Sequence, residues 1–161
     1  MELEEKIAIV TGANQGIGRT IALKLAEAGA DIVAVDLYKN EQTAELVQQI
    51  EHMGRTCLPA QADVSQESDV NAFVKETLSQ FGRVDILVNN AGITKDGLIM
   101  RMKSDDWTKV LDVNLSSMFY CTKAVARTMF KQRSGNIVMI TSVIGVMGNL
   151  GQANYAASKA G

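Results

Sequence analysis

The sequence predicts an α/β protein built on one doubly wound parallel sheet. Short apolar runs alternate with helical patterns along all 161 residues, the first apolar run ends in a glycine-rich turn, and no repeat or low-complexity segment interrupts the alternation. Alternation of this kind implies right-handed crossovers between parallel strands that are buried on both faces. We therefore expect a single domain over residues 1–161 with the strand order 3-2-1-4-5.

Five runs have the apolar character of buried strands. They cover residues 7–10, 31–35, 56–60, 84–88 and 136–140. Helical patterns lie between them at about 17–29, 41–53, 67–80 and 104–132. The third run contains Pro59, the only proline of the chain, which a sheet tolerates best at its edge. In the predicted order this strand is an edge strand.

The composition argues against several classes of protein. The net charge is −2 with interspersed signs, so no basic stripe supports nucleic-acid binding. The acidic start of the chain is unlike a signal peptide, and no apolar stretch approaches the roughly 18 residues that span a bilayer. We expect a cytoplasmic protein without membrane contact.

Cysteine and histidine are too sparse for a metal site or a disulfide framework. Cys57 and Cys121 are far apart in the chain, and His52 is the only histidine. This pattern argues against a histidine-based triad and a multi-histidine metal centre. We expect two buried thiols and no bound metal.

A glycine-rich turn over residues 11–18 connects the first strand to the first helix. Its glycines permit a tight turn, close approach of a pyrophosphate to the backbone, and close packing of helix on strand. The helix N-terminus offers N–H groups and a partial positive charge to phosphate. A plain strand-to-helix connection is the alternative, but the context favours nucleotide binding. The candidate cofactor-binding residues here are Gly12, Asn14, Gln15, Gly16, Ile17 and Gly18.

Asp36 ends the second strand, about 20 residues beyond the glycine turn, where a carboxylate can accept hydrogen bonds from ribose hydroxyls. The same carboxylate repels a 2′-phosphate. We therefore favour NAD(H) as the cofactor, while the nearby Lys39 leaves NADP(H) possible. The alternative for Asp36 is a helix-capping or loop aspartate.

The ends of the third and fourth strands supply further candidates for the cofactor site. Asp63 and Val64 can contact adenine through a carboxylate and a backbone N–H, although a helix N-cap region explains the same residues. Asn90, Ala91 and Gly92 follow the fourth strand, where parallel sheets bind ligands. For these three residues we expect a structural turn and a cofactor contact together.

Tyr155 and Lys159 are the main catalytic candidates. They lie four residues apart, on one face of a helix, where the ammonium can lower a tyrosine pKa of about 10. Such a tyrosine can exchange the proton that accompanies hydride transfer to a carbonyl, although many solvated helix faces carry the same pair.

Two polar residues nearer the middle of the chain complete the catalytic candidates. Asn114 stands among apolar neighbours in the long helix, which indicates an inward side chain that needs a polar partner. A solvent-facing asparagine is the alternative. Ser142 follows the fifth strand at the ligand-binding edge, a position where serine is commonplace.

Together these motifs resemble the short-chain dehydrogenase/reductase family in order and spacing. The motifs are the glycine turn 11–18, residues 89–92, Asn114, Ser142 and the Tyr155–Lys159 pair. Segments 92–102 and 147–155 are similar to those of the 3-oxoacyl-[acyl-carrier-protein] reductases of fatty-acid synthesis. The resemblance implies a Rossmann-type fold and NAD(P)-dependent reduction of 3-oxoacyl thioesters.

The resemblance also implies a role for each catalytic candidate. Tyr155 is the general acid, and Lys159 lowers its pKa and holds the nicotinamide ribose, so that both residues also count as cofactor-binding candidates. Ser142 binds the substrate carbonyl, and Asn114 holds a water in a proton relay to solvent. Hydride comes from the reduced nicotinamide, so the protein positions the reactants and stabilises charge.

A basic cluster of Arg127, Lys131 and Arg133 stands near the end of the long helix. It can dock an acidic acyl carrier protein. Favourable charges at a helix C-terminus explain the cluster equally well.

Gln15 departs from the reductase pattern, because many of those enzymes carry a basic residue there that favours NADP. With Asp36, it leaves room for an NAD-linked 3-hydroxyacyl dehydrogenase, and sugar-alcohol or steroid substrates also stay open. A non-catalytic, nucleotide-binding or self-assembling half-domain is the alternative from another class.

Family members continue well beyond the last residue of this chain, with further strands and the loop that covers the substrate. We therefore expect a C-terminally truncated domain in which residues 151–161 are too short for a stable helix, since helices below about 12–15 residues are marginal alone. Tyr155 and Lys159 would then be disordered.

The same reasoning predicts an exposed apolar surface. The fifth strand becomes an unpaired edge, and the long helix exposes residues such as Met118, Val125 and Met129. Such a surface favours association, so we expect a homo-oligomer.

Overall fold

A five-stranded parallel sheet forms the centre of the computed structural model, which describes residues 2–161. The strands are β1 (Ile7–Thr11), β2 (Asp31–Asp36), β3 (Cys57–Gln61), β4 (Ile86–Asn89) and β5 (Asn136–Met139). They are parallel throughout and lie in the order β3-β2-β1-β4-β5. The predicted Rossmann-type fold class and strand order are confirmed, and Pro59 lies in the edge strand β3.

Helices follow the strands in the alternation that the sequence predicts. They are α1 (Gly16–Glu27), α2 (Glu41–His52), α3 (Glu67–Phe81), α4 (Ser104–Leu111), α5 (Ser117–Gln132), α6 (Ile144–Met147) and α7 (Ala153–Ala160). A 3₁₀ turn at Ile99–Arg101 precedes α4. Within residues 2–161, no helix is long and apolar enough to cross a membrane.

The side chains of β1 alternate between two helical layers. Ile7 and Ile9 pack into the layer of α3 and α5, whereas Ala8 and Val10 pack into the layer of α1 and α2. Successive strand residues point to opposite faces, so a strand covered on both faces must be apolar throughout. This burial explains why the first apolar run of the sequence is continuous.

Cys57 and Cys121 are free and buried, as predicted, and they lie in opposite layers of the core. Burial raises the pKa of each thiol to about 12. Neither cysteine is therefore a thiolate at neutral pH, and both act as small core side chains.

The single helix predicted at 104–132 is wrong in one respect, because a π-helical turn at Asp112–Ser116 separates α4 from α5. Asn114 lies in this turn and is fully buried. π turns are rare and occur often at functional sites, where the widened backbone redirects a side chain. Here it allows Asn114 to reach backbone groups outside its own helix.

The predicted apolar surface is only partly present. All four residues of β5 are exposed, as expected, with Val138 at 44%. Val125 and Met129, however, are buried, because α5 packs this face against α3 and β4, and Met118 is half-buried. The exposed face of α5 carries other large side chains, with Phe119 at 62% and Phe130 at 85%.

The expectation that residues 151–161 cannot form a stable helix is wrong, because Ala153–Ala160 is the helix α7. It packs against α4 and α6, and these tertiary contacts replace the length that an isolated helix needs. The approach of α6 is close. A Cβ added to Gly145 would lie 2.7 Å from the carbonyl carbon of Lys159. Tyr155 and Lys159 are therefore ordered on α7.

Candidate functional site

A cleft of about 650 Å³ lies at the carboxyl ends of the central strands. This is the edge where open α/β sheets bind ligands, and the volume suits a small molecule. Most of the predicted cofactor-binding residues line it: Gly12, Gln15, Gly16, Ile17, Gly18, Asp36, Asp63, Val64, Asn90, Ala91 and Gly92. The other predicted cofactor-binding residues, Asn14, Tyr155 and Lys159, do not line the cleft, and neither do the catalytic candidates Asn114 and Ser142.

The glycine turn brings the N-terminus of α1 to the cleft. A Cβ at Gly18 would collide with the carbonyl oxygen of Gly12, so only glycine allows α1 to pack this closely on the turn. Gln15 precedes the helix without a side-chain cap, and the first turn holds no acidic residue. Uncapped N–H groups beside a cleft suit a pyrophosphate, so the residues present fit a dinucleotide here.

Asn90 and Thr11 lock the turn to the end of β4. The Asn90 side-chain amide donates to the carbonyls of Thr11 and Gly12 at 2.8 and 3.1 Å. The Thr11 hydroxyl oxygen accepts from the backbone N–H groups of Asn90 and Ala91, each at 3.0 Å. Asn90 therefore has a structural role, and the backbone of residues 90–92 forms a wall of the cleft.

Both carboxylate oxygens of Asp36 accept backbone hydrogen bonds. Oδ1 accepts from Leu37 N at 2.8 Å, and Oδ2 accepts from Asn14 N at 3.0 Å. Asp36 is thus neither a helix cap nor a free loop residue. Its carboxylate is fixed at the end of β2, on the wall of the cleft.

Asp63 stabilises the turn before α3 and also faces the cleft. Its Oδ1 accepts from the backbone N and the hydroxyl of Ser65 at 3.0 and 2.6 Å, and its Oδ2 lies 3.6 Å from Lys109 Nζ. Burial raises the pKa of Asp63, but the Ser65 hydrogen bonds and the Lys109 charge outweigh it, so the net pKa is below 3.8. The N-cap of α3 is Gln66, so Asp63 does not cap this helix.

Asn114 lies in the π turn before α5 and bonds to the segment after β4 and to α7. Its side chain therefore points inward, as predicted. Its Oδ1 accepts from Ile93 N at 2.8 Å, and its Nδ2 donates to Ile93 O and Ser158 Oγ, each at 3.0 Å. A Cβ at Gly92 would lie 3.3 Å from Asn114 Oδ1 and 3.6 Å from Lys159 Nζ. Asn114 and Lys159 therefore both approach Gly92, which lines the cleft, from outside the cleft lining.

Lys159 is buried at 8% exposure, and its ammonium donates to Ile140 O at 2.7 Å. Burial lowers the pKa of this lysine below its usual 10.5. Its Nζ lies 6.0 Å from the centre of the Tyr155 ring, which is half-buried on the same helix. Ser142 follows β5, and its hydroxyl oxygen accepts from Ile144 N at 3.2 Å at the start of α6.

Two residues that the sequence did not single out belong to this site. Asn154 is fully buried; its Nδ2 donates to Lys95 O at 2.9 Å and its Oδ1 accepts from Tyr155 N at 2.8 Å. Lys109 pairs with Asp63 across the cleft. Asparagine is common near helix starts and lysine is common on helix surfaces, so neither residue type carries a local signal.

The chain matches the model of the family described as short chain dehydrogenase over residues 6–161. It is 52% identical over 157 residues to the 3-oxoacyl-[acyl-carrier-protein] reductase FabG of Staphylococcus epidermidis. It is 48% identical over 159 residues to the 3-oxoacyl-[acyl-carrier-protein] reductase of Synechocystis sp.. These matches cover 97% and 99% of this chain, which spans 64% of the length of each relative.

A solved structure of NAD+-bound xylitol dehydrogenase is similar to the whole chain, with a TM-score of 0.94 and 34% sequence identity. The match covers 99% of this chain and 62% of that chain. The family match includes both the glycine turn and the Tyr155–Lys159 helix. The chain belongs to the short chain dehydrogenase family.

Proposed function

We propose that the protein is a nicotinamide-dependent oxidoreductase that reduces 3-oxoacyl thioesters to 3-hydroxyacyl thioesters. The observation that carries this proposal is the approach of both Asn114 and Lys159 to Gly92, which connects the cleft to the helix of Tyr155. The substrate class comes from the curated relatives, which are named as 3-oxoacyl-[acyl-carrier-protein] reductases.

The cleft has a distinct set of residues for each part of the dinucleotide. The N-terminus of α1 holds the pyrophosphate, Asp36 accepts from the adenosine ribose, and Asp63 with Val64 contacts the adenine. Asn90, Ala91 and Gly92 supply a flat backbone wall.

NAD(H) is the favoured form of the cofactor. The Asp36 carboxylate repels a 2′-phosphate, and among the described residues that line the cleft Lys109 is the only cation. That ammonium already faces Asp63. The xylitol dehydrogenase neighbour is described with NAD+, which supports the same nicotinamide class. NADP(H) is the alternative, and titration with NADH and NADPH distinguishes the two by their affinities.

A nicotinamide cofactor in this cleft would supply the hydride that reduces the carbonyl carbon of the substrate. Tyr155 donates its hydroxyl proton to the carbonyl oxygen, and Ser142 donates a hydrogen bond to that oxygen. The Lys159 ammonium stabilises the phenolate that remains on Tyr155. Both Asn114 amide hydrogens are already used, so its remaining Oδ1 lone pair is the group that can hold a relay water.

Calorimetric titration of the purified chain with NADH and NADPH, followed by an acetoacetyl-CoA assay, tests the proposal. We expect NADH to bind more tightly and to be consumed with the thioester. Binding of neither dinucleotide would overturn the proposal. Tenfold tighter NADPH would overturn the role of Asp36 alone, and binding without turnover would favour a non-catalytic nucleotide-binding domain.

Sugar-alcohol oxidation is the second candidate, because the xylitol dehydrogenase neighbour shares the fold at 34% identity. An assay with xylitol and NAD+, run beside the acetoacetyl-CoA assay, discriminates the two. Turnover of xylitol alone would replace the proposed substrate class. If the protein is instead an NAD-linked 3-hydroxyacyl dehydrogenase, it should oxidise a 3-hydroxyacyl thioester faster than it reduces acetoacetyl-CoA.

We also infer that the protein forms a homo-oligomer and that an acyl carrier protein presents the substrate. The exposed residues of β5 support self-association, and the exposed cluster of Arg127, Lys131 and Arg133 can attract an acidic carrier. Light scattering tests the first point. A monomer at micromolar concentration would count against it.

A further inference from the structure

A buried polar network connects the glycine turn to the segment between β2 and α2. Asn14 is its centre and is 3% exposed. Its backbone N donates to Asp36 Oδ2 at 3.0 Å, and its side-chain Nδ2 donates to Tyr38 O at 2.7 Å. Thr43, which is 5% exposed, donates its hydroxyl to Asn14 Oδ1 at 3.0 Å. Asn14, which does not line the cleft, thus holds Asp36, which does.

Thr43 anchors this network to a helix. It is the third residue of α2, and its hydroxyl oxygen accepts from the backbone N of Asn40 at 3.1 Å. Asn40 in return caps the helix, since its Oδ1 accepts from Thr43 N at 3.2 Å. The bond from Thr43 to Asn14 therefore ties the position of the glycine turn to the first turn of α2.

Arg19 holds the opposite side of the same turn. Its Nη1 donates to Asn14 O at 3.1 Å and to Gln42 O at 2.8 Å. The guanidinium is therefore engaged with backbone carbonyls, and it is absent from the described lining of the cleft. Asn14 is fixed through its backbone and its side chain at once.

We infer that Thr43 and Asn14 are positioning residues that determine selectivity for the dinucleotide with a free 2′-hydroxyl. The inference rests on the proposed dinucleotide binding. To admit a 2′-phosphate, the Asp36 carboxylate must turn away and leave the N–H of Asn14 without its acceptor. The glycine turn could relieve this loss only by shifting relative to α2. The Thr43–Asn14 bond ties the turn to α2 and prevents that shift.

Replacement of Thr43 by valine tests the inference, because it keeps the shape of the side chain and removes the hydroxyl. Calorimetry with NADH and NADPH gives the selectivity as the ratio of the two dissociation constants. We expect Thr43→Val to reduce the preference for NADH roughly five- to tenfold, the size of a lost buried hydrogen bond. Thr43→Ser, which keeps the hydroxyl, should retain the preference.

Asn40→Ala is the matched control, because it removes the cap of α2 and leaves the Thr43–Asn14 bond intact. We expect a lower melting temperature with the selectivity retained. The double variant Asn14→Ala/Thr43→Val should be no less selective than Asn14→Ala, since the Thr43–Asn14 bond is already broken in the single variant.

Two results would overturn the inference while leaving the dinucleotide site in place. The first is an unchanged selectivity in Thr43→Val. The second is a loss of selectivity in Asn40→Ala that is as large as the loss in Thr43→Val. A wild-type chain that binds neither NADH nor NADPH would instead overturn the dinucleotide site and the inference together.

Discussion

β1 and β5 have similar apolar sequences and opposite surroundings. Every residue of β1 is buried, because helices cover both of its faces and strands flank both of its edges, whereas every residue of β5 is exposed at the edge of the sheet. The glycine turn follows β1, and Lys159 donates to Ile140, the residue after β5. The proposed cofactor residues thus lie at the buried centre of the sheet, and the proposed catalytic pair lies beside its exposed edge.

The two regions are consequently held by different forces. Strand pairing and two apolar layers fix the turn at the end of β1. Besides packing on α4 and α6, hydrogen bonds of three buried side chains hold α7: Asn154 to Lys95 and Tyr155, Ser158 to Asn114, and Lys159 to Ile140. Substitutions should therefore separate dinucleotide binding from turnover, and the following predictions test that separation.

Tyr155→Phe should have the largest effect. It removes the proposed general acid and retains the ring, so turnover of acetoacetyl-CoA should fall by about 10²- to 10⁴-fold. NADH affinity should not change, because Tyr155 does not line the cleft. Stopped-flow NADH oxidation and calorimetry measure the two quantities. Tyr120→Phe, on the half-buried tyrosine of α5, is the matched control and should leave both unchanged. Wild-type turnover in Tyr155→Phe would remove Tyr155 from the mechanism.

Gly18→Ala should affect the region of the glycine turn after β1. Alanine has a helix propensity about 1 kcal/mol better than glycine, but the added Cβ collides with the Gly12 carbonyl, and overpacking of this kind costs about 1–3 kcal/mol. We expect a lower unfolding free energy and the loss of measurable NADH binding. Gly97→Ala is the control, since a Cβ there meets no atom within 4 Å. Equal NADH affinity in the two variants would contradict the close-approach argument.

The sequence predicted the central region well because its signals are local. Apolar runs, the glycine turn and the proline of β3 each report on their own neighbourhood, and the predicted order of strands follows from them. The polar contacts of the other region are not local. Asn114 meets Ile93 and Ser158, and a π turn replaces the predicted straight helix to allow this. The helix α7 was unexpected for the same reason, since propensity cannot report the tertiary contacts that stabilise it.

Asn154→Ala should show how much one of these contacts contributes. It leaves the partly buried carbonyl of Lys95 and N–H of Tyr155 without their partner, which costs about 1–3 kcal/mol of unfolding free energy. Turnover should fall because the backbone of Tyr155 loses its anchor, while NADH affinity is retained. Urea unfolding and the two functional assays measure these changes.

The control for Asn154 is Asn149→Ala, because Asn149 is exposed and its side-chain amide donates to Gln152 Oε1 in an exposed polar contact. Surface changes of this type stay within about 0.5 kcal/mol. If Asn154→Ala were as stable and active as Asn149→Ala, the buried contact would contribute nothing to the position of α7.

The smallest effect we expect is a pH dependence from Lys159. Burial lowers its folded-state pKa below 10.5, so the unfolded chain binds this proton more tightly than the folded chain does. The unfolding free energy of the wild type should therefore rise with pH from the folded pKa up to 10.5, and this gain should disappear as the pH falls through the folded pKa. Lys159→Met lacks the titrating group, while every other ionisation is common to both proteins. The difference between their urea unfolding curves should widen in favour of the wild type between neutral and alkaline pH. Parallel curves would mean that α7 opens to water beside β5 and that Lys159 is hydrated in the folded protein.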